Sequence, residues 1–234
     1  MTPLAALLVA LCGLAIGATS IGGVLVVPAL NVTAGIPVDR AVAAASFGFL
    51  FPGVAAAMSP PAEGPGRHGA LLAGALAGAA LGALTLAWLT AGTVRTAVAL
   101  LCIGSGLYAL VGLSRGAPVS LPPPARLLLG AMVGCASAWS GTGGPVVLLP
   151  LLALLGWAVT DAVAAAQRVQ LPVAIAATAV HLAAGRLDLL LGTLLGVLLL
   201  IGWTLGRRLA TRLPVRRLQQ LVAAALIAAG AAYL

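Results

Sequence analysis

Two short runs of residues carry most of the chemistry this chain could do: Thr19-Ser20-Ile21-Gly22-Gly23, ahead of Pro28, and Ser140-Gly141-Thr142-Gly143-Gly144-Pro145, ahead of Pro150. Both lie inside apolar stretches. Clustered glycines interrupt a membrane helix, and the amides they free are tolerated at bilayer depth only where protein covers them or where they line a cavity. With no Cβ at Gly22, Gly23, Gly143 and Gly144, those amides are open to close approach, and amides at helix ends favour an anion. Ser20, Ser140 and Thr142 add hydroxyls that turn toward whichever oxygen arrives. Glycines also serve close helix packing, and that is the reading for scattered ones such as Gly74, Gly78 and Gly82.

A further run, Gln167-Arg168-Val169-Gln170-Leu171-Pro172, sets a guanidinium between two carboxamides within an apolar segment. An Arg near the centre of a membrane helix costs at least ~2.5 to 3.5 kcal/mol, which makes function its default explanation. Its planar fork suits two oxygens of one anion. Two readings stay open: Arg168 faces the site with Gln167 and Gln170, or it snorkels to the interface or pairs with Asp161.

Other polar residues are read more plainly. Asp39 and Asp161 each precede an Ala-rich run and are expected as helix N-caps rather than coupling-ion carboxylates. His181 is expected as a polar tip near the end of its span rather than a proton relay. Cys12, Cys102 and Cys135 lack metal-ligand spacing and are expected as small packing residues, so no metal ion and no cofactor is anticipated.

The elements that must position these residues are membrane helices. Of 234 residues 62% are hydrophobic and 7% charged, and the mean hydropathy is +1.18, which excludes a soluble domain with its roughly 25% charged share. Apolar segments fall at about 4 to 30, 41 to 58, 69 to 90, 94 to 113, 127 to 155, 162 to 183, 187 to 206 and 218 to 234, each long enough for a helix rather than a barrel strand. The fold class is all-α integral membrane protein, with about eight transmembrane segments in two sets of four.

The two sets read as an internal repeat. A constant offset carries Gly22 onto Gly144, Val24 onto Val146, Pro28 onto Pro150 and Asp39 onto Asp161. Residues 1–113 form the first repeat, 114–126 a connecting loop with Pro118 and Pro122-Pro123-Pro124, and 127–234 the second. The first and fifth segments, at roughly 27 and 29 residues, would reach about 40 Å as straight helix against a hydrocarbon core of ~30 Å. They are therefore expected to be broken or re-entrant. Four crossings per half make parallel repeats, whereas three crossings and a hairpin make inverted ones.

All twelve basic residues are Arg, and the net charge is +8. Most lie between apolar segments, where they orient the chain and anchor headgroups, so nucleic acid is not an expected partner. Hairpins would gather Arg67, Arg115, Arg126 and the Arg207 to Arg217 cluster on one side, opposite Arg40, Arg95 and Arg186, a slightly better fit to the positive-inside rule than eight full crossings.

The paired glycine phrases, each followed by an apolar run to a proline, in a chain of eight segments, resemble the sulfite exporter TauE/SafE family of membrane permeases, over essentially the whole chain. A triple glycine is usual in the family, where this chain has Ile21-Gly22-Gly23 and Gly143-Gly144-Pro145. The resemblance implies transport of sulfite or related sulfur oxyanions and organosulfonates across a bacterial inner membrane by a multi-pass permease, not an enzyme. Its partners would be the small anion and membrane lipid, and a homodimer is admitted.

The charge inventory leans toward export, because an anion leaving a negative interior gains ~2.3 kcal/mol per charge per 100 mV without a coupling ion. Two other classes fit parts of the sequence. An intramembrane serine protease would use Ser140 with His181, but the offset pairs Ser140 with Ala18 and leaves the symmetry unused. A non-transporting scaffold or assembly protein would use the glycines for packing and the Arg207 to Arg217 loop for docking.

Overall fold

The computed structural model describes residues 1–58, 68–111, 120–157, 159–212 and 215–234. Arg67, Ser114 to Pro118 of the connecting loop, and the side chains of Arg216 and Arg217 lie outside that description. Every regular element among the described residues is helical: α1 Pro3–Thr19, α2 Val26–Ala34, α3 Val38–Gly48, α4 Leu50–Ala57, α5 Gly69–Thr85, α6 Ala91–Val111, α7 Pro123–Ser140, α8 Pro145–Leu154, α9 Val159–Ala183, α10 Leu189–Ala210 and α11 Val215–Tyr233.

Five stretches among the described residues are long and apolar enough to cross a membrane: Val38–Ala57, Gly69–Trp88, Ala91–Leu110, Asp161–Ala183 and Leu189–Ala210. The chain is a multi-pass membrane protein. The first and fifth segments expected from the sequence are each split in two, and α2 with 9 residues and α8 with 10 fall well short of the ~20 that a crossing needs.

The breaks have local causes. At the end of α1, Ser20 turns left-handed at φ 61° and its N–H bonds the Ile16 carbonyl at 2.8 Å. Gly22 at φ 156° and a 3-10 turn over Gly23–Leu25 then lead into α2. At the end of α7, Gly141 takes the left-handed cap at φ 64°, and Gly143 at φ 78° and Gly144 at φ 105° continue the break. Pro145 opens α8, where its missing N–H costs nothing.

After each break the chain returns. The Thr2 hydroxyl at the head of α1 donates to the Thr33 carbonyl near the end of α2 at 3.2 Å, so this pair is a helical hairpin whose two ends share a level. In the second half, Trp157 beyond α8 lies 6.2 Å from the His68 ring at the head of α5. Helices α5 and α7 run parallel, since Gly74, Gly78 and Gly82 face Leu127, Ala131 and Cys135 in ascending order. The end of α8 therefore returns to the level where α7 begins.

Glycine seams hold these elements together. A Cβ on Gly78 would run into the Ala131 carbonyl oxygen, and one on Gly134 into that of Ala75. Helices α1 and α10 also run parallel and meet backbone to backbone, through Gly13 and Gly17 on one side and Gly202 and Gly206 on the other. Without a hydrophobic drive between helices in lipid, such close van der Waals contact is what binds them. Gly74, Gly78 and Gly82 thus pack helices, as read from the sequence.

Two expectations need correction. Pro37 occupies the cap of α3, Asp39 lies in the first turn, and no side chain caps this end. Asp161 likewise sits inside the first turn of α9. The carboxylate that does cap a helix is Asp188, whose Oδ1 accepts from the Leu191 N–H at 3.0 Å. His181 lies in the last turn of α9, near the end of its span as expected, but its side chain is fully buried, because α9 is packed against α3, α5 and α7.

Candidate functional site

Both glycine phrases are buried, and they touch. A Cβ on Gly23 would lie 2.6 Å from the Thr142 carbonyl oxygen, so the turn after α1 and the turn after α7 meet backbone to backbone. The same imagined Cβ lies 3.1 Å from Cζ of Phe49, and one on Gly143 lies 3.1 Å from Cγ of that ring. Gly144 faces Val169 of α9. Two turns remote in sequence thus share one small volume with the middle of α9 and the joint between α3 and α4.

Hydrogen bonding within the phrases leaves donors unspent. The left-handed caps consume helix-terminal carbonyls, Ile16 accepting from Ser20 and Ser137 from both Gly141 and Thr142. Thr19 braces the first turn, its hydroxyl donating to the Ala15 carbonyl at 2.8 Å and accepting from the Ile21 N–H at 3.2 Å. By contrast the N–H groups of Gly22, Gly143 and Gly144 find no acceptor among the described residues. The N-termini of α2 and α8 both start at these turns, so their partial positive charge adds to the free amides.

The polar side chains converge in part. Gln167 Nε2 donates to the Ser20 hydroxyl at 2.9 Å, tying α9 to the first phrase. Gln170, buried, donates to the Phe49 carbonyl at 3.4 Å. Ser140 and Thr142 share a hydrogen bond at 3.0 Å, and Ser140 also donates to the Ala136 carbonyl at 2.7 Å. Ser20, Gly22, Gly23, Ser140, Thr142, Gly143, Gly144, Gln167 and Gln170 therefore form one neighbourhood.

Arg168 makes no hydrogen bond to it. The residue is half-buried and has no hydrogen-bond or ion-pair partner among the described residues, Asp161 included. Two helical turns further along the same side of α9 lies Ile175, 47% exposed. That side of the helix is not the one on which Gln167 and Gln170 make their bonds.

Two residues of this neighbourhood carry only a faint signal in the sequence. Phe49 is separated from both phrases by many residues, and only the proximity of Pro52 hints at an irregular helix there. Ser137 is 1% exposed with an unpartnered hydroxyl, one turn before Ser140. Its place three residues before a marked serine was the available clue. The Ser140 and His181 pairing of the protease reading is not formed: Ser140 bonds Ala136 and Thr142, and neither ring nitrogen of His181 has a partner.

Chemically, the arrangement offers free amides, hydroxyls and carboxamides around a closely packed contact between two hairpin tips. Donors of this kind are ones that can hydrogen-bond an oxyanion. The three cysteines are free thiols.

Comparison with known proteins identifies a family. The family model described as Sulfite exporter TauE/SafE covers residues 65–233, a narrower span than the whole-chain likeness drawn from the motifs. It takes in the second phrase and the Gln167 to Gln170 stretch and begins after the first phrase. No curated protein and no solved structure matches the chain.

Proposed function

Because the chain belongs to the sulfite exporter TauE/SafE family, whose members are membrane permeases for sulfur anions rather than enzymes, we propose that it carries sulfite or a related small organosulfonate outward across a bacterial inner membrane, at the contact between its two glycine phrases. The observation that carries this reading is the abutment of Gly23 on the Thr142 carbonyl. Two broken helices meeting midway through a membrane protein, with half-helix N-termini directed at one spot, are how secondary transporters build substrate sites.

The same observations support an inverted-repeat architecture. The offset that pairs Gly22 with Gly144 also carries α1 and α2 onto α7 and α8, α3 with α4 onto α9, α5 onto α10 and α6 onto α11. It exchanges the two glycine seams, α1 against α10 and α5 against α7. Each half is then one hairpin and three crossings, with the two hairpins entering from opposite sides. The arginines from Arg207 to Arg217, where α10 ends and α11 begins, and the connecting loop face the cytoplasm, and rocking of the halves about the paired phrases alternates access. Ser20, Ser140, Thr142, Gln167 and Gln170 bind the anion beside Gly22, Gly23, Gly143 and Gly144, and Arg168 supplies positive potential from the flank.

Outward movement needs no coupling ion, since the membrane potential contributes ~2.3 kcal/mol per charge per 100 mV. Proteoliposomes loaded with radiolabelled sulfite test this. Imposing a negative-inside potential should accelerate efflux in the absence of sodium and proton gradients. Efflux indifferent to potential and dependent on an ion gradient would contradict the export reading.

A further inference from the structure

Phe49 sits at a joint. Helix α3 ends at Gly48 and α4 begins at Leu50. Pro52 lacks the N–H that would bond the Gly48 carbonyl, which is why the helix loosens here. The ring is 1% exposed. The Cβ positions of Gly143 lie 3.1 and 3.2 Å from its Cγ and Cδ2, and those of Gly23 3.1 and 3.3 Å from its Cζ and Cε1. One end of the ring therefore rests on the second phrase and the other on the first.

The surroundings hold the joint from two directions. Phe47 and Phe51 pack edge to face at 6.0 Å and cover Gly192 and Gly196 of α10, which anchors the side of the helix opposite Phe49. On the site side, Gln170 Nε2 holds the Phe49 carbonyl. An anion engaging both sets of free amides must share the gap with this ring.

We propose that Phe49 is the specificity-determining residue of the permease: the volume its ring takes between the two phrases limits how large a substituent a sulfur oxyanion can carry into the site. The inference rests on the reading of the paired phrases as the anion site. Sulfite and small sulfonates pass beneath a yielding ring, and sulfonates with a bulky organic group do not.

Initial uptake rates of sulfite, methanesulfonate and benzenesulfonate into proteoliposomes test it, with the wild-type chain beside Phe49→Ala and Phe49→Leu. Phe49→Leu is included because full truncation of a buried ring endangers folding, and melting in detergent reports the fold of each. The ratio of benzenesulfonate to sulfite uptake should rise roughly tenfold in Phe49→Ala and less in Phe49→Leu, the scale on which pocket volume discriminates. An unchanged ratio in both variants with sulfite flux retained overturns the inference but leaves the site reading standing. Loss of all flux from both folded variants also overturns it, because the ring would then be required rather than limiting. A wild-type chain that carries none of the three anions removes the site reading itself, and this inference with it.

Discussion

Ser20 is the one non-glycine residue at positive φ among the described residues, and it sits where the account places the substrate. A left-handed serine costs about 1 kcal/mol or more and persists only when its surroundings hold it there. Here Gln167 does so, through the bond to the Ser20 hydroxyl. Ser20→Gly should therefore raise the melting point by relief of about 1 kcal/mol of strain while lowering sulfite flux, because the hydroxyl and its link to α9 are lost. Melting and uptake on the same preparation check both halves. The glycines and hydroxyls of the phrases were legible in the sequence because residue type alone marks a break in an apolar run. Phe49 and Ser137 were not, since their part in the site arises from tertiary contact, and nothing local distinguishes a buried Phe at a site from one in a core. Asp39 misled for a related reason: an acid ahead of an Ala-rich run fits a cap, yet Pro37 already had the extended backbone of the cap position, φ −53° and ψ 142°.

At the scale of elements, stability rests on two seams where backbone meets backbone. A methyl on Gly78 must displace the Ala131 carbonyl. Gly78→Ala should lower stability by about 1 to 3 kcal/mol or more, as overpacking does. Gly104 offers the contrast, with nothing within 4 Å of its imagined Cβ, and Gly104→Ala should leave stability unchanged or raise it by up to about 1 kcal/mol through helix propensity. Thermal melting of the two variants in one detergent compares them, and equal melting points would contradict the seam. The helical character of the chain was readable from apolar length, and the breaks in the first and fifth segments from glycine clusters within overlong runs. The joint at Phe49 escaped notice because the second segment is of ordinary length, so only the missing Pro52 N–H marks it.

At the scale of the molecule, the bond from Thr2 to Thr33 and the His68 and Trp157 contact favour hairpins over simple crossings. This orders the loops. Cysteines introduced at the exposed Ser120 and Thr211, in a chain whose three native cysteines are replaced by Ala, should both react with an impermeant maleimide from the cytoplasmic side alone. Labelling of Ser120→Cys from outside would restore eight full crossings. Sequence alone left this choice nearly balanced, because the arginine counts differ by one residue between the two arrangements, whereas a single hydrogen bond between the ends of α1 and α2 weighs toward a hairpin. The central claim is that the paired phrases hold the transported anion. Counterflow of radiolabelled sulfite in proteoliposomes tests it most directly, with the wild-type chain beside a Gly23→Ala, Gly143→Ala double variant and a Gly35→Ala control. Gly35 shares a positive φ of 64° but faces open space, so it reports backbone strain without entering the site. The account predicts counterflow in the wild type and the control and its loss in the folded double variant; counterflow retained in that variant at the wild-type rate would contradict it.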